Sequence, residues 1–152
     1  MKAFKNILFP VDLSDISPKL VPYVNMMANQ HKADIHLLFV VRNLEHLAGF
    51  YMASADIDRF NKDIISGVER RLEEFRSEYF RDFPDTSVKV VIGDISEEII
   101  FYVNNKGIDL LIMGTHGRKG IDRVFFGSIA ERVGKTSPVP VLLINPYRES
   151  QG

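Results

Sequence analysis

The sequence predicts a single α/β domain, an open parallel sheet of five strands in the order 3-2-1-4-5 with helices on both faces. Three observations predict it. Short runs rich in Val, Leu and Ile alternate with segments whose apolar residues recur every three or four positions, the pattern of parallel strands joined by crossover helices. The short runs are apolar throughout rather than at every second residue, as strands covered on both faces are. Finally, "MGTHGRKGIDRVFFGS" (113–128) holds four of the ten glycines and follows the fourth run. In such sheets ligands bind beyond the carboxyl ends of the strands, where the strand order reverses.

Each element has a reason. "FKNILFPVD" (4–12) is a strand-length apolar run ended by proline. Ser17 and Pro18 read as the N-cap and first residue of a helix to about His31, with Pro22 expected to kink its second turn. "DIHLLFVV" (34–41) is a strand buried on both sides. Residues 42–53 read as loop. From Ala55 to Arg81, Ile57, Phe60, Ile64, Val68, Leu72, Phe75 and Tyr79 form one helical stripe opposite a charged, solvated face. "TSVKVVIG" (86–93) is a strand. "DISEEIIFYVNNKG" (94–107) is a helix started by an Asp94–Glu97 capping box and stopped by Gly107. "IDLLIMG" (108–114) is the fourth strand, a helix runs from Ser128 to Ser137, and "PVPVLLI" (138–144) is the fifth. Residues 1–147 make the domain and 148–152 a short tail.

Composition excludes several function classes. Lys and Arg total 19 against 20 for Asp and Glu, so no global basic field recruits nucleic acid or an anionic membrane. There are no cysteines, which removes disulfides, thiolate metal sites and thiol catalysis. "MKAFKNILFPVD" has too short an apolar run for a signal peptide, and no stretch approaches the roughly 18 apolar residues of a membrane span. The expectation is a soluble, cytoplasmic domain.

The glycine stretch fails two familiar phosphate motifs. Its spacing is not G-x-G-x-x-G, and it follows the fourth strand rather than the first. "GKT" at 134–136 lacks the P-loop glycine five positions earlier, where Ile129 stands, and falls at a helix end, where carbonyls point outward. The spacing Gly114-x2-Gly117-x9-Gly127-Ser128 is coherent instead. Gly114 lets a ligand approach the end of a strand, Gly117 turns the loop, and Gly127 and Ser128 open a helix whose free N–H groups suit an anion.

That spacing resembles the G-x2-G-x9-G-[ST] signature of the nucleotide-binding branch of the universal stress protein family. The flanking "DLLIMGTHGRKG" and "GSIAERVGKTSPVPVLLI" and the opening "KNILFPVDLSDIS" are similar to the family too. The resemblance implies an adenine nucleotide alpha hydrolase-like fold with ATP, ADP or AMP in the crevice. By it, Pro10 and Asp12 lie beside the ribose or base, and Val40 and Met113 line the adenine pocket. Gly114, Gly117, Gly127, Ser128 and the Ile129 N–H would then hold ribose and phosphates, and any magnesium would come in through the phosphates. It further implies a homodimer in which the last strands, Val139 to Ile144, pair across a two-fold axis, covering an apolar edge that is otherwise a liability.

Plainer readings stand beside these. Ser128 and Glu131 have capping-box spacing, and Asp12 has a second role open to it as a helix cap. Gly120 is loop, His116 reads as an exposed loop histidine without a partner, and His31, His36 and His46 lack metal-ligand spacing. Arg118, Lys119 and Arg123 either screen phosphate or solubilise the loop. The resulting expectation is an ATP-binding stress-response regulator with no catalytic residues. The alternative is a slow ATPase or an adenylyl- or phosphate-transferring enzyme in the same crevice, with His116 and Lys119 as its candidates.

Overall fold

A computed structural model describes residues 2–42, 54–116 and 127–148. Its elements in chain order are β1 (Asn6–Pro10), α1 (Ser17–His31), β2 (Asp34–Arg42), α2 (Ser54–Tyr79), β3 (Ser87–Gly93), α3 (Ile95–Asn105), β4 (Leu110–Gly114), α4 (Ser128–Thr136) and β5 (Val141–Ile144). The strands form one sheet in the order β3-β2-β1-β4-β5, and every pairing is parallel. The expected architecture is the one found. Gly117, Arg118, Lys119, Gly120 and Arg123 lie outside the described residues.

Side chains alternate across the sheet and build two cores. Ile7, Phe9, Ile35 and Leu37 pack with Leu20 and Val24 of α1 and with Leu72 and Phe75 of α2. Leu8, Leu38, Leu111 and Met113 pack with Ile99 and Val103 of α3 and with Val133 of α4. Leaving β1 the chain crosses to one face, and leaving β4 it crosses to the other. The sheet therefore splits at the β1–β4 boundary, at the carboxyl ends of the strands.

Local chemistry sets several boundaries. Helix α1 is continuous through Pro22 and begins with Ser17 as its first helical residue, Ile16 being the N-cap with no side-chain cap bond. Ser17 was expected to cap; its hydroxyl is instead committed to Asp12. β4 starts at Leu110 because the Asp109 carboxylate turns back to accept from the Lys5 and Asn6 N–H groups at 2.8 to 3.0 Å. β5 starts at Val141, three residues later than expected, past Pro138 and Pro140, which lack the N–H a ladder needs. Asp94 caps α3 by accepting from the Glu97 N–H at 3.0 Å, and Gly107 follows the helix at φ +64°. Within the stripe of α2 only Leu72 and Phe75 are buried. The helix is longer than the sheet it covers, so Ile64 and Val68 stand over the sheet's carboxyl edge and Phe60 is exposed.

Candidate functional site

At the split lies a cleft of about 730 Å³, walled by the carboxyl ends of β1, β2 and β4 and the first turns of α1 and α4. Of the nine residues expected there, eight line it: Pro10, Asp12, Val40, Met113, Gly114, Gly127, Ser128 and Ile129. The ninth, Gly117, is outside the described residues.

The β1 side is organised by Asp12. Its Oδ1 accepts from the Ser14 N–H at 3.0 Å, the Ser14 hydroxyl at 2.6 Å and the Ser17 hydroxyl at 2.9 Å. Leu13 between them takes a left-handed φ of 56°, a cost that these bonds to a charged group offset. Asp12 thus ties together the turn before α1 instead of capping that helix. Among the described residues its Oδ2 receives no hydrogen bond, leaving one carboxylate oxygen for the cleft it lines.

The β4 side is organised by Thr115. Its N–H donates to the Ile144 carbonyl at 2.9 Å, and its carbonyl accepts from the Gly127 N–H at 2.6 Å. The start of α4 is thereby fixed to the end of β4. Gly127 is the N-cap of α4 and no side chain caps it. The capping box expected from Ser128 and Glu131 does not form: Ser128 already sits inside the helix, and Glu131 pairs with Lys135 at 3.0 Å. Among the described residues the N–H groups of Ser128, Ile129 and Ala130 have no acceptor, so the positive end of the helix opens on the cleft. "GKT" lies in the last turn of this helix, away from the open N–H groups.

The two signature glycines differ. A Cβ on Gly114 would come within 3.1 Å of Leu20 Cδ1 and 3.2 Å of the His116 carbonyl, so the chain's own packing favours glycine there. Gly127 has an ordinary φ of −58°, and among the described residues its Cβ would meet nothing nearer than the Thr115 carbonyl at 3.4 Å. Neither conformation nor described packing accounts for that glycine.

Between these ends the walls are apolar. Val40, Met113, Ile95, Ile99 and Ile129 form the α3–α4 side, and Phe39, Val41, Ile64 and Val68 the α2 side. Arg42 and Arg71 stand at the β2 end and make no ion pair among the described residues. A largely apolar cleft with one carboxylate and one helix N-terminus suits a ligand with an aromatic body, hydroxyls and an anionic tail. Among the described residues no group of three His, Asp or Glu is arranged to hold a metal, and no helix is long and apolar enough to cross a membrane.

Sequence reasoning missed part of the site. Ser17 was assigned a capping role, and Thr115 was not singled out. His116, read as an exposed loop residue without a partner, is half-buried, lines the cleft and has Thr115 Oγ1 2.9 Å from its Nδ1. Adjacency in the chain was the available signal, since a hydroxyl residue precedes the histidine. His36 lies elsewhere, at the start of β2. Its Nδ1 is 2.8 Å from the Tyr102 hydroxyl and 3.1 Å from Ser87 Oγ, and its Nε2 is 3.3 Å from Asn6 Oδ1. Burial lowers its pKa below the ordinary histidine value, opposed by nearby Asp34 and reinforced by Lys106, while burial raises that of Tyr102. This is a satisfied structural network.

A parallel α/β domain whose cleft sits at the sheet reversal and carries an uncapped helix N-terminus is the class that fold and site define. The model of the universal stress protein family matches residues 3–145, and the chain belongs to that family. It is similar to universal stress protein MJ0531 of Methanocaldococcus jannaschii, 26% identical over 96% of this chain and 85% of that one. It is also similar to universal stress protein MJ0577 of the same organism, 25% identical over 93% and 94% of the two chains. The solved structure of MJ0577 superposes with a TM-score of 0.80, covering 99% of this chain and all of that one. Two more distant structures share the fold: a universal stress protein in complex with cAMP (18% identity, TM-score 0.61, 95% and 99% covered) and the one from Archaeoglobus fulgidus in complex with dAMP (14%, 0.57, 95% and 100%).

Proposed function

We propose that this chain is an adenine-nucleotide-binding universal stress protein, a cytoplasmic regulator that responds to ATP and acts as a homodimer. In this reading adenine lies between Val40 and Met113, with Pro10 beside it. The free oxygen of Asp12 accepts from the ribose hydroxyls. The phosphates run past Gly114 and Gly117 to the N–H groups at Gly127, Ser128 and Ile129. Any magnesium is carried by the phosphates. The observation that carries the reading is Gly127, which the chain does not need for its own conformation or described packing, at the mouth of an uncapped helix facing an apolar slot. Family members that hold cAMP and dAMP support a nucleotide as ligand.

The dimer rests on β5, an outer strand that is apolar throughout and, among the described residues, paired on one side only. The test of the nucleotide is direct. Purified protein is denatured and the supernatant analysed for adenine nucleotide, and stripped protein is then titrated with ATP by calorimetry. We expect bound nucleotide or a saturable isotherm. Neither one appearing would remove the proposal.

A further inference from the structure

We infer that Arg42 and Arg71 form a second anion-binding site at the β2 end of the cleft, which takes a nucleotide bearing an acidic group on the far edge of its base. The inference rests on the nucleotide reading above and deepens it by naming the class of ligand. Val40, one wall of the proposed base pocket, and Arg42 are two residues apart in β2. Their side chains therefore leave the same face of the strand, about 7 Å apart. Arg71 reaches the same end from the opposite wall, one turn of α2 beyond Val68. The open turn of α4 is anchored at the end of β4, two strands or about 10 Å away from β2. The cleft thus carries positive charge at both ends, with an apolar stretch between them.

Among the described residues nothing neutralises the β2 end. Asp12 is the one acid among the described lining residues, and its Oδ1 is committed to Ser14 and Ser17. Glu98 folds over Gly93, the ladder partner of Arg42, where a Cβ would stand 2.6 Å from Glu98 Oε1. Glu74 stands one turn from Arg71 on α2. Neither carboxylate forms an ion pair with its arginine; both guanidinium groups line the cleft instead. A guanidinium fork matches a planar carboxylate with two parallel hydrogen bonds, and apolar walls strengthen such a pair relative to open water. Two forks at one end suit a substituent that carries two carboxylates.

The test compares three ligands by calorimetry on nucleotide-stripped protein: AMP, AMP with a succinyl (dicarboxyethyl) group on its exocyclic amine, and AMP with an uncharged butyl group there. The succinyl compound binds about fivefold to tenfold more tightly than AMP, as for two partly exposed ion pairs. That ratio shrinks as sodium chloride is raised from about 0.1 to about 1 M. Arg42→Gln and Arg71→Gln each lower it, and the double variant brings it to within about twofold of unity. Using the ratio on each variant cancels any general loss of binding, and circular dichroism confirms that each is folded. Equal affinity of the wild type for AMP and the succinyl compound would overturn the proposal. So would a butyl compound that binds as tightly as the succinyl one, because burial rather than charge would then supply the gain. A preference retained in the double variant would overturn it as well. Failure of the wild type to bind AMP or either derivative would instead defeat the nucleotide reading itself, and this inference with it.

Discussion

Gly114 and Gly127 belong to one sequence signature, yet their alanine variants should fail in opposite ways. At Gly114 the new methyl would lie 3.1 Å from Leu20 Cδ1 and 3.2 Å from the His116 carbonyl. Leu20 is 4% exposed, and the second neighbour is a backbone oxygen. Overpacking of this kind costs about 1–3 kcal/mol, which for a chain of this length lowers Tm by about 2–12 °C. At Gly127 the nearest described atom is 3.4 Å away and φ is −58°. Alanine is a poorer N-cap than glycine by several tenths of a kcal/mol, and it regains about 0.4–1 kcal/mol by restricting the unfolded chain. The two nearly cancel, so Gly127→Ala should melt within about 2 °C of the wild type. Its methyl, however, stands where the phosphates would approach the helix, and ATP affinity should fall at least about tenfold, or 1.4 kcal/mol. Differential scanning fluorimetry and calorimetry on the same preparations give both numbers. A stable Gly127→Ala that binds ATP as tightly as wild type would refute the reasoning. So would a Gly127→Ala variant that unfolds.

Asp12→Ala removes the acceptor of three hydrogen bonds and should cost about 1–3 kcal/mol in urea unfolding while also weakening ATP. Asp12→Asn keeps an acceptor oxygen and should recover much of the stability but less of the affinity, a split read by running both assays. His36 is held neutral by burial, so its folded pKa lies below its unfolded value of 6.5. Between those two values the unfolded chain binds the extra proton. Stability from this group is therefore complete above pH 6.5 and is lost as pH falls through the folded value, with a slope of at most about 1.4 kcal/mol per pH unit. His36→Asn should flatten that slope in urea titrations from pH 7.5 to 5, and an unchanged slope would assign it elsewhere. If β5 joins two copies, sedimentation should find a dimer at micromolar concentration, and Leu143→Lys should yield a folded monomer.

The fold was legible because its signals are dense and repeated. Nine segments carry mutually consistent periods, and runs such as "HLLFVV" and "LLIM" have no other home than a covered parallel sheet. The cleft was legible because topology fixes where strand order reverses, so Asp12 and Gly127 could be brought together although they lie far apart in the chain. Capping was less legible. Ser17 and Ser128 carry good N-cap side chains, but each sits one position inside its helix. The shift occurs because a stronger local partner, the Asp12 carboxylate for Ser17 and the Thr115 carbonyl for the Gly127 N–H, decides where the helix starts. The partner of His116 was missed because the sequence shows a threonine beside it without showing that the backbone there folds Oγ1 toward the ring. The long stripe of α2 was read correctly as one face, but how far the sheet extends beneath it is a tertiary quantity.

Thr115 explains why the signature has the form it does. Its N–H reaches the last residue of β5, its carbonyl reaches the N-cap of α4, and its hydroxyl meets His116. A helix that must begin against the end of β4 needs a residue there with both main-chain groups turned outward. The residue before it, Gly114, then lies close against Leu20, where a Cβ would stand only 3.1 Å from Cδ1. The first glycine of the signature thus serves the scaffold, and the scaffold in turn fixes where the open turn of α4 stands. Gly127 has no such duty in the described structure. Within one motif, then, one glycine packs tightly against the scaffold and the other, among the described residues, does not.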